Sequence, residues 1–268
     1  MVRAENLTVT YGNTKIINGL NFEAKAGEIT AIVGPNGSGK TTLLRALTAE
    51  VPFQGAVHLN DMDISKTPAW HLAAQRAVLS QATSLSFPFQ AIEIVQLGIQ
   101  SGQHTGIQIA QTALDKVGLA GYATRFYQEL SGGEQQRVQL ARVLCQVWQP
   151  VENGKPKWLF LDEPVSSLDI GHQLMVMQIA KDFAQAGGGV IAVMHDLNLS
   201  AMFANTVVLM NNGQIFGHGT ASEVLTDQTV SEAYKCDIRT CVPPHAQGWY
   251  VLPQASERKT TALSVTFS

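Results

Sequence analysis

The run Gly34-Pro-Asn-Gly-Ser-Gly-Lys-Thr41 constrains this chain more than any other feature. Its spacing is that of a phosphate loop, G-x-x-x-x-G-K-[ST]. Glycines let backbone N–H groups crowd around phosphate oxygens, and the helix that follows points its positive end at them. The flanks fit. Glu28–Val33 reads as an apolar strand, and Thr41–Ala49, rich in leucine and alanine, favours helix. Lys40 is then expected to reach the β- and γ-phosphates and Thr41 the Mg²⁺ ion. Gly34, Pro35, Asn36, Gly37, Ser38, Gly39 and Thr42 complete the expected nucleotide cradle.

The rest of the chain alternates in a way that supports such a site. Three β-rich runs, Val2–Thr10, Lys15–Glu23 and Gly55–Leu59, separated by turn residues at 11–13 and 26–27, predict antiparallel strands at the front. From Phe87 to Gln149 the β-character disappears. There Ile107, Ala110, Leu114 and Val117 recur at helical spacing before Gly118, which predicts a helical insertion. Three apolar runs follow, Lys157–Leu161, Gly189–Met194 and Thr206–Met210, with a helical pattern over Gly171–Ala186; together they predict a parallel sheet with crossover helices. Asn212-Gly213 between two β-runs predicts a two-residue hairpin. The fold class is therefore α/β.

Two further motifs carry chemistry. Trp158-Leu-Phe-Leu-Asp162-Glu163 is an apolar strand ending in adjacent carboxylates, and a parallel strand delivers such residues to the same sheet edge as the phosphate loop. Asp162 suits Mg²⁺, directly or through water, which leaves Glu163 to orient or deprotonate an attacking water. In Leu130-Ser131-Gly132-Gly133-Glu134, Ser131 as N-cap and Glu134 three residues on form a capping box. Two glycines in a first helical turn are costly. They make sense where a phosphate must approach the backbone amides.

Phosphate loop, Leu-Ser-Gly-Gly-Glu and terminal Asp-Glu, in this order, resemble the ATP-binding cassette (ABC) ATPases, over most of the chain to about residue 225. Gln81 after Ala77–Ser80, Ser167-Leu-Asp169 just after Glu163, and His195 after Val190–Met194 stand where that family has its remaining motifs. The resemblance implies a P-loop ATPase with a RecA-like core, an N-terminal antiparallel β-subdomain and a helical subdomain at about 82–150. It implies one domain over 1–255 and a flexible tail over 256–268. It also implies two ATPs sandwiched between two head-to-tail copies, so that Ser131, Gly132, Gly133 and Glu134 serve the nucleotide held by the partner copy's phosphate loop. On the same basis His195 touches the γ-phosphate, Asp169 signals across the dimer, Gln81 senses Mg²⁺ and Tyr11 stacks on adenine. Val165 and Ser167 replace the more frequent Thr and Ala, without loss of a charged residue or a glycine.

Within the family the wording resembles the importer branch for siderophore iron, cobalamin and haem. Phe87-Pro-Phe-Gln-Ala-Ile-Glu-Ile-Val-Gln-Leu-Gly98 and the insertion from Trp148 to Trp158 resemble bacterial haem import ATPases. That implies ATP hydrolysis energising haem uptake through a separate permease dimer at the cytoplasmic face of the inner membrane, with a periplasmic haem-binding protein as an indirect partner. The permease is expected to dock near the helical insertion, with Leu85, Phe87 and Phe89 as candidate contacts. Ferric siderophore and cobalamin are the alternative cargoes. A soluble ABC ATPase of translation or repair would carry two cassettes or a long coiled-coil insertion. A P-loop kinase has no use for Leu-Ser-Gly-Gly-Glu, and a non-hydrolysing cassette would be expected to lack Glu163 or His195.

Composition narrows the field in the same direction. Among 268 residues, 18 Lys+Arg against 21 Asp+Glu leave a formal charge of −3, so no basic excess points to nucleic acid. The longest apolar runs fall far short of the roughly 20 residues a membrane-spanning helix needs. The first residues, which include Glu5, lack the apolar segment of a secretory signal, so a cytosolic location is expected. Cys145, Cys236 and Cys241 form no CxxC pair and read as reduced structural thiols.

Overall fold

A computed structural model describes residues 1–81, 87–99, 106–242 and 251–255. The front of the molecule is an antiparallel sheet. β1 (Val2–Tyr11) and β2 (Thr14–Ala24) form a hairpin, then come β3 (Ile29–Val33) and helix α1 (Lys40–Leu47), and β4 (Gln54–Leu59) returns to pair with β1, with the short β5 (Met62–Asp63) at its edge. Alternation sets the buried face of β1 on either side of an irregularity at Asn6 (φ 49°): Val2 and Ala4 before it and Leu7 and Val9 after it point inward, and the residues between them face out or lie partly covered.

Helix α2 (Ala69–Gln75) leads into β6 (Arg76–Leu79), after which the chain becomes helical: α3 (Ala91–Gln96), α4 (Gly106–Lys116) and α5 (Gly132–Gln146) pack on one another. A small hairpin, β7 (Val151–Glu152) and β8 (Lys155–Pro156), precedes β9 (Trp158–Asp162). The chain then alternates through α6 (Ile170–Gln185), β10 (Gly189–Val193), α7 (Leu197–Phe203), β11 (Thr206–Asn211) and β12 (Gln214–Gly219), and finishes with α8 (Ala221–Val224) and α9 (Asp227–Tyr234).

The main sheet runs β12-β11-β3-β10-β9-β6, parallel throughout except for β12. It forms the middle layer of the molecule. Leu159 and Leu161, Val190 and Ala192, and Val207 and Leu209 face the helices, whereas Trp158 and Phe160, Ile191 and Val193, and Val208 and Met210 face α1 and the antiparallel sheet. Strands covered on both faces read as continuous apolar runs, which is why all five residues of β3, β9 and β10 are buried. Each large side chain so buried contributes on the order of 1.5–3 kcal/mol. The apolar side of α3, α4 and α5 joins the same core through Ile94, Leu114 and Val138.

Among the described residues the strand and helix expectations hold in type. Asn212 and Gly213 sit at φ 47° and 74° between β11 and β12, the left-handed pair that a type I′ hairpin requires. One periodic residue differs. Ala110, Leu114 and Val117 are buried, but Ile107 is 68% exposed, because the first turn of α4 extends past the core that the rest of the helix packs against. The Trp148–Trp158 insertion folds as the β7–β8 hairpin, turning at Asn153 and Gly154 with φ 51° and 73°. Buried Lys157 pairs with Glu152 of that hairpin at 3.1 Å, and the Trp158 indole N–H donates to Asn60 at 2.9 Å. Of the candidate docking side chains, Phe87 is exposed, Phe89 packs partly against the core, and Leu85 lies outside the described residues, as does the expected tail over 256–268.

Candidate nucleotide site

β3 ends at Val33, and the chain turns immediately into the phosphate loop. Gly34 lies so close to β11 that a Cβ there would stand 2.2 Å from the Met210 carbonyl oxygen, so no other residue fits. The β11–β12 turn also holds the loop: the Gly213 N–H donates to the Ser38 carbonyl at 2.9 Å. Helix α1 starts from Gly39 with no side-chain cap, which leaves its first-turn amides available to an anion. Ser38 Oγ is buried at the foot of the loop without a partner among the described residues, a second polar group suited to an anion.

Lys40 is 5% exposed, and its Nζ donates to the carbonyls of Gly34 at 2.9 Å and Pro35 at 3.0 Å. Burial pulls its pKa below the ordinary lysine value, while the charges of Glu163 and Asp162 push it back. Thr41 Oγ1 donates to Asp162 Oδ1 at 3.1 Å, which joins α1 to the end of β9. Asp162 is buried. Burial raises its carboxyl pKa, the Thr41 bond opposes the rise, and the charge of Glu163 adds to it. A hydroxyl beside a carboxylate is the hard oxygen pair that suits Mg²⁺, an ion that keeps most of its waters and takes few protein ligands.

Glu163 is the most constrained residue of the site. Its φ of 51° places a non-glycine residue in the left-handed region, a conformation that persists only where its surroundings fix it. Its N–H donates to the Val193 carbonyl at 3.1 Å, and its own carbonyl accepts from Gln136 Nε2 at 3.0 Å. Gln81 Nε2 donates to Oε2 at 2.8 Å, and His195 Nε2 lies 2.6 Å from Oε1. Three strand ends make this possible: β6 leads to Gln81, β9 to Glu163 and β10 to His195, all at one edge of the parallel sheet.

These residues surround an open cavity of about 660 Å³. Lys40, Thr41, Gln81, Glu163 and His195 are its polar and charged lining. Asn36, Gly37, Gly39 and Thr42 line it from the loop, and Tyr11, 45% exposed, and Ile16 add the apolar surface. Gly34, Pro35 and Ser38 belong to the loop behind the cavity.

Ser131, Gly132, Gly133, Glu134 and Asp169 do not line that cavity. They form a second group around the start of α5. The capping box is present: Glu134 Oε2 accepts from the Ser131 backbone N–H and hydroxyl, both at 2.8 Å. No atom of the described residues stands within 4 Å of a Cβ on Gly132, whereas one on Gly133 would lie 3.2 Å from the Ser167 carbonyl, so the Ser167–Asp169 turn packs against this helix start. Asp169 caps α6 and accepts from His172 N at 2.9 Å, which with the His172 ring holds its carboxyl pKa below the usual value.

Two residues of the site went unread in the sequence. Ile16 lies in a strand pattern that shows which face is covered but not that the strand's start borders a ligand cavity. Gln136 had a faint signal: three residues after Gly133, a polar side chain falls on the packed face of α5.

Comparison with known proteins places these features in context. The ABC transporter family model matches residues 17–166. The chain is 54% identical over 259 residues to the hemin import ATP-binding protein HmuV of Jannaschia sp. (strain CCS1), covering 96% of each chain. It is 55% identical over 256 residues to the protein of that name in Roseobacter denitrificans, covering 95% of this chain and 98% of the relative. Among solved structures, the dimeric post-hydrolysis state of the ATP-binding cassette MJ0796 bound to ADP and Pi superimposes with a TM-score of 0.71 at 26% identity, covering 82% of this chain and 99% of that one.

Proposed function

Because the chain belongs to the ABC transporter family, as a transport-coupled ATPase, we propose that it hydrolyses ATP to drive haem across a bacterial inner membrane through a separate permease. The observation that carries the chemistry is the Glu163 carboxylate, held between Gln81 and His195 at the edge of the cavity that Lys40 and Thr41 enter. Similarity to hemin import ATP-binding proteins along nearly the whole chain supports the cargo.

In this reading Lys40 and the amides of Gly37 to Thr41 bind the phosphates, and Tyr11 with Ile16 receives the adenine against apolar surface. Thr41 and Asp162 would hold Mg²⁺, with Gln81 close by; such an ion would supply positive charge against the β- and γ-phosphates. Glu163 takes a proton from the attacking water as that oxygen bonds to the γ-phosphorus and the bond to the β-phosphate oxygen breaks. His195 steadies Glu163 and hydrogen-bonds to the γ-phosphate.

ABC cassettes pair, and this chain's Ser131 group lies away from its own cavity. We therefore assign Ser131, Gly132, Gly133 and Glu134 to ATP held by a second copy, with Asp169 at the junction. Residues 1–255 then act as one nucleotide-binding domain whose helical part, about 82–150, faces the permease with Phe87 exposed. No helix among the described residues is long and apolar enough to cross a membrane. In this assignment the chain works at the cytoplasmic face of the membrane as a peripheral subunit.

The test is ATP hydrolysis by the chain assembled with its permease, measured as a periplasmic binding protein is supplied with haem, ferric siderophore or cobalamin. Stimulation by haem alone supports the proposal. Stimulation by another cargo keeps the ATPase and overturns the cargo.

A further inference from the structure

The two groups of site residues are joined at one point. Gln136, in the second turn of the helix that Ser131 caps, donates through Nε2 to the backbone carbonyl of Glu163 at 3.0 Å. The other end of that amide, Oε1, is buried and has no partner among the described residues. An amide placed where half of it goes unsatisfied costs stability that an apolar side chain of similar size would not, so packing alone does not account for Gln136. Its donor does, because it touches the backbone of the residue whose carboxylate faces the cavity.

Glu163 makes that contact consequential. Its left-handed backbone sets where the carbonyl points, its N–H is fixed to β10, and both carboxylate oxygens are engaged by Gln81 and His195. A displacement of α5 therefore pulls on a peptide that cannot relax by rotating a single side chain. From Ser131 to Gln136 the helix rises only about 7.5 Å at about 1.5 Å per residue, too short a span to absorb a shift by bending.

We propose that Gln136 is a positioning residue that couples the two ATP sites of the dimer. This inference rests on the composite-site reading above. ATP held by one copy is engaged by the Ser131 turn of the other. Through Gln136 that engagement sets Glu163 in the second copy's own site, so occupancy of each site tunes catalysis at its neighbour. The carbonyl of Glu163 also accepts from Ser166 N at 3.4 Å and Ser166 Oγ at 3.2 Å, so loss of Gln136 leaves it partnered and the fold intact.

The experiment compares the full chain with Gln136→Met, a similar length without the donor. The wild type should hydrolyse ATP with a Hill coefficient approaching about 2, the ceiling for two sites, and the variant should fall toward about 1. Its maximal rate should drop about tenfold, the equivalent of one hydrogen bond lost from the support of Glu163, with ATP binding to the separate subunits changed less than about twofold. A packing role alone would lower thermal stability and leave the Hill coefficient untouched. If Gln136→Met does not fold, Gln136→Asn, whose amide falls one methylene short, gives the same reading. Dimer formation is followed separately, by size exclusion of Glu163→Gln with ATP. Failure to dimerise overturns the composite site and this inference with it. A dimer whose Gln136→Met form keeps wild-type cooperativity and rate, or a wild type that dimerises without cooperativity, overturns the linkage alone.

Discussion

His195 Nε2 and Glu163 Oε1 stand 2.6 Å apart, and the opposite oxygen of that carboxylate accepts from Gln81 at 2.8 Å. Residues from two separate loops thus aim one carboxylate into the nucleotide cavity. Glu163→Gln keeps the shape and loses the proton acceptor. Phosphate release should fall at least about 100-fold, within the range general-base catalysis supplies, while ATP binding measured by calorimetry persists. Brisk hydrolysis by this variant would refute the assigned base.

Lys40→Ala should act on binding first. The change removes the cation that sits on the Gly34 and Pro35 carbonyls and leaves both without that donor. Charge-assisted hydrogen bonds of about 1.5–3 kcal/mol predict a Kd for ATP raised by about 10- to 100-fold. An unchanged Kd would remove Lys40 from the phosphate site.

Asp162 sets a pH dependence whose sign follows from its burial. Its folded-state pKa lies above the unfolded 3.8, so its contribution to stability is complete below 3.8 and is lost as pH rises through the raised value. Asp162→Asn, which never ionises, should melt higher than wild type at neutral pH without nucleotide, and the gap should close as the pH is lowered. The same variant should lose Mg²⁺-dependent nucleotide affinity. Scanning fluorimetry across pH tests the first claim; an asparagine variant less stable at pH 7 contradicts it.

Gly213→Ala tests the support beneath the phosphate loop. A Cβ there would stand 2.0 Å from the Ile16 carbonyl, on a backbone at φ 74°. We expect a loss of about 2 kcal/mol or more, together with weaker ATP binding, because Ile16 borders the cavity and Gly213 N holds Ser38. Gly154→Ala, at φ 73° with nothing within 4 Å, is the control and should cost only about 1 kcal/mol. Equal melting temperatures for the two variants would dismiss the close approach as a factor.

Ser131→Arg should abolish hydrolysis while ATP binding to single subunits stays within about twofold of wild type, since Ser131 lies outside this chain's own cavity and a bulky cation there blocks only the facing copy. Hydrolysis at the wild-type rate would contradict the shared site.

Much of this architecture was legible because burial on two faces writes itself into the chain. The five-residue strands β3, β9 and β10 are buried from end to end and apolar but for Thr30 and Asp162, and the polar residues beyond each of them, Lys40, Glu163 and His195, meet at one edge. Local chemistry was equally readable where a motif serves its own neighbourhood: Ser131 and Glu134 cap a helix, and Asn212-Gly213 turns a hairpin. What escaped depends on partners far along the chain. Nothing near Gln136 shows that its amide meets a carbonyl 27 residues away. The left-handed backbone of Glu163 is imposed by β10 and α5 rather than by its own preference. Ile107 fits the helical period yet faces out, because period alone does not reveal where a core stops.

The strand order also dictates when this protein becomes able to bind nucleotide. β3 carries the phosphate loop, yet its two neighbours in the sheet are β10 and β11, which lie in the last third of the chain, and the Gly213 tie to Ser38 comes after both. A ribosome adding about 5–20 residues each second exposes the glycine motif many seconds before the strands that shape it. Until then the loop is a sequence without a conformation. Competence for ATP therefore waits on the final parallel strands, which take their places on either side of the first.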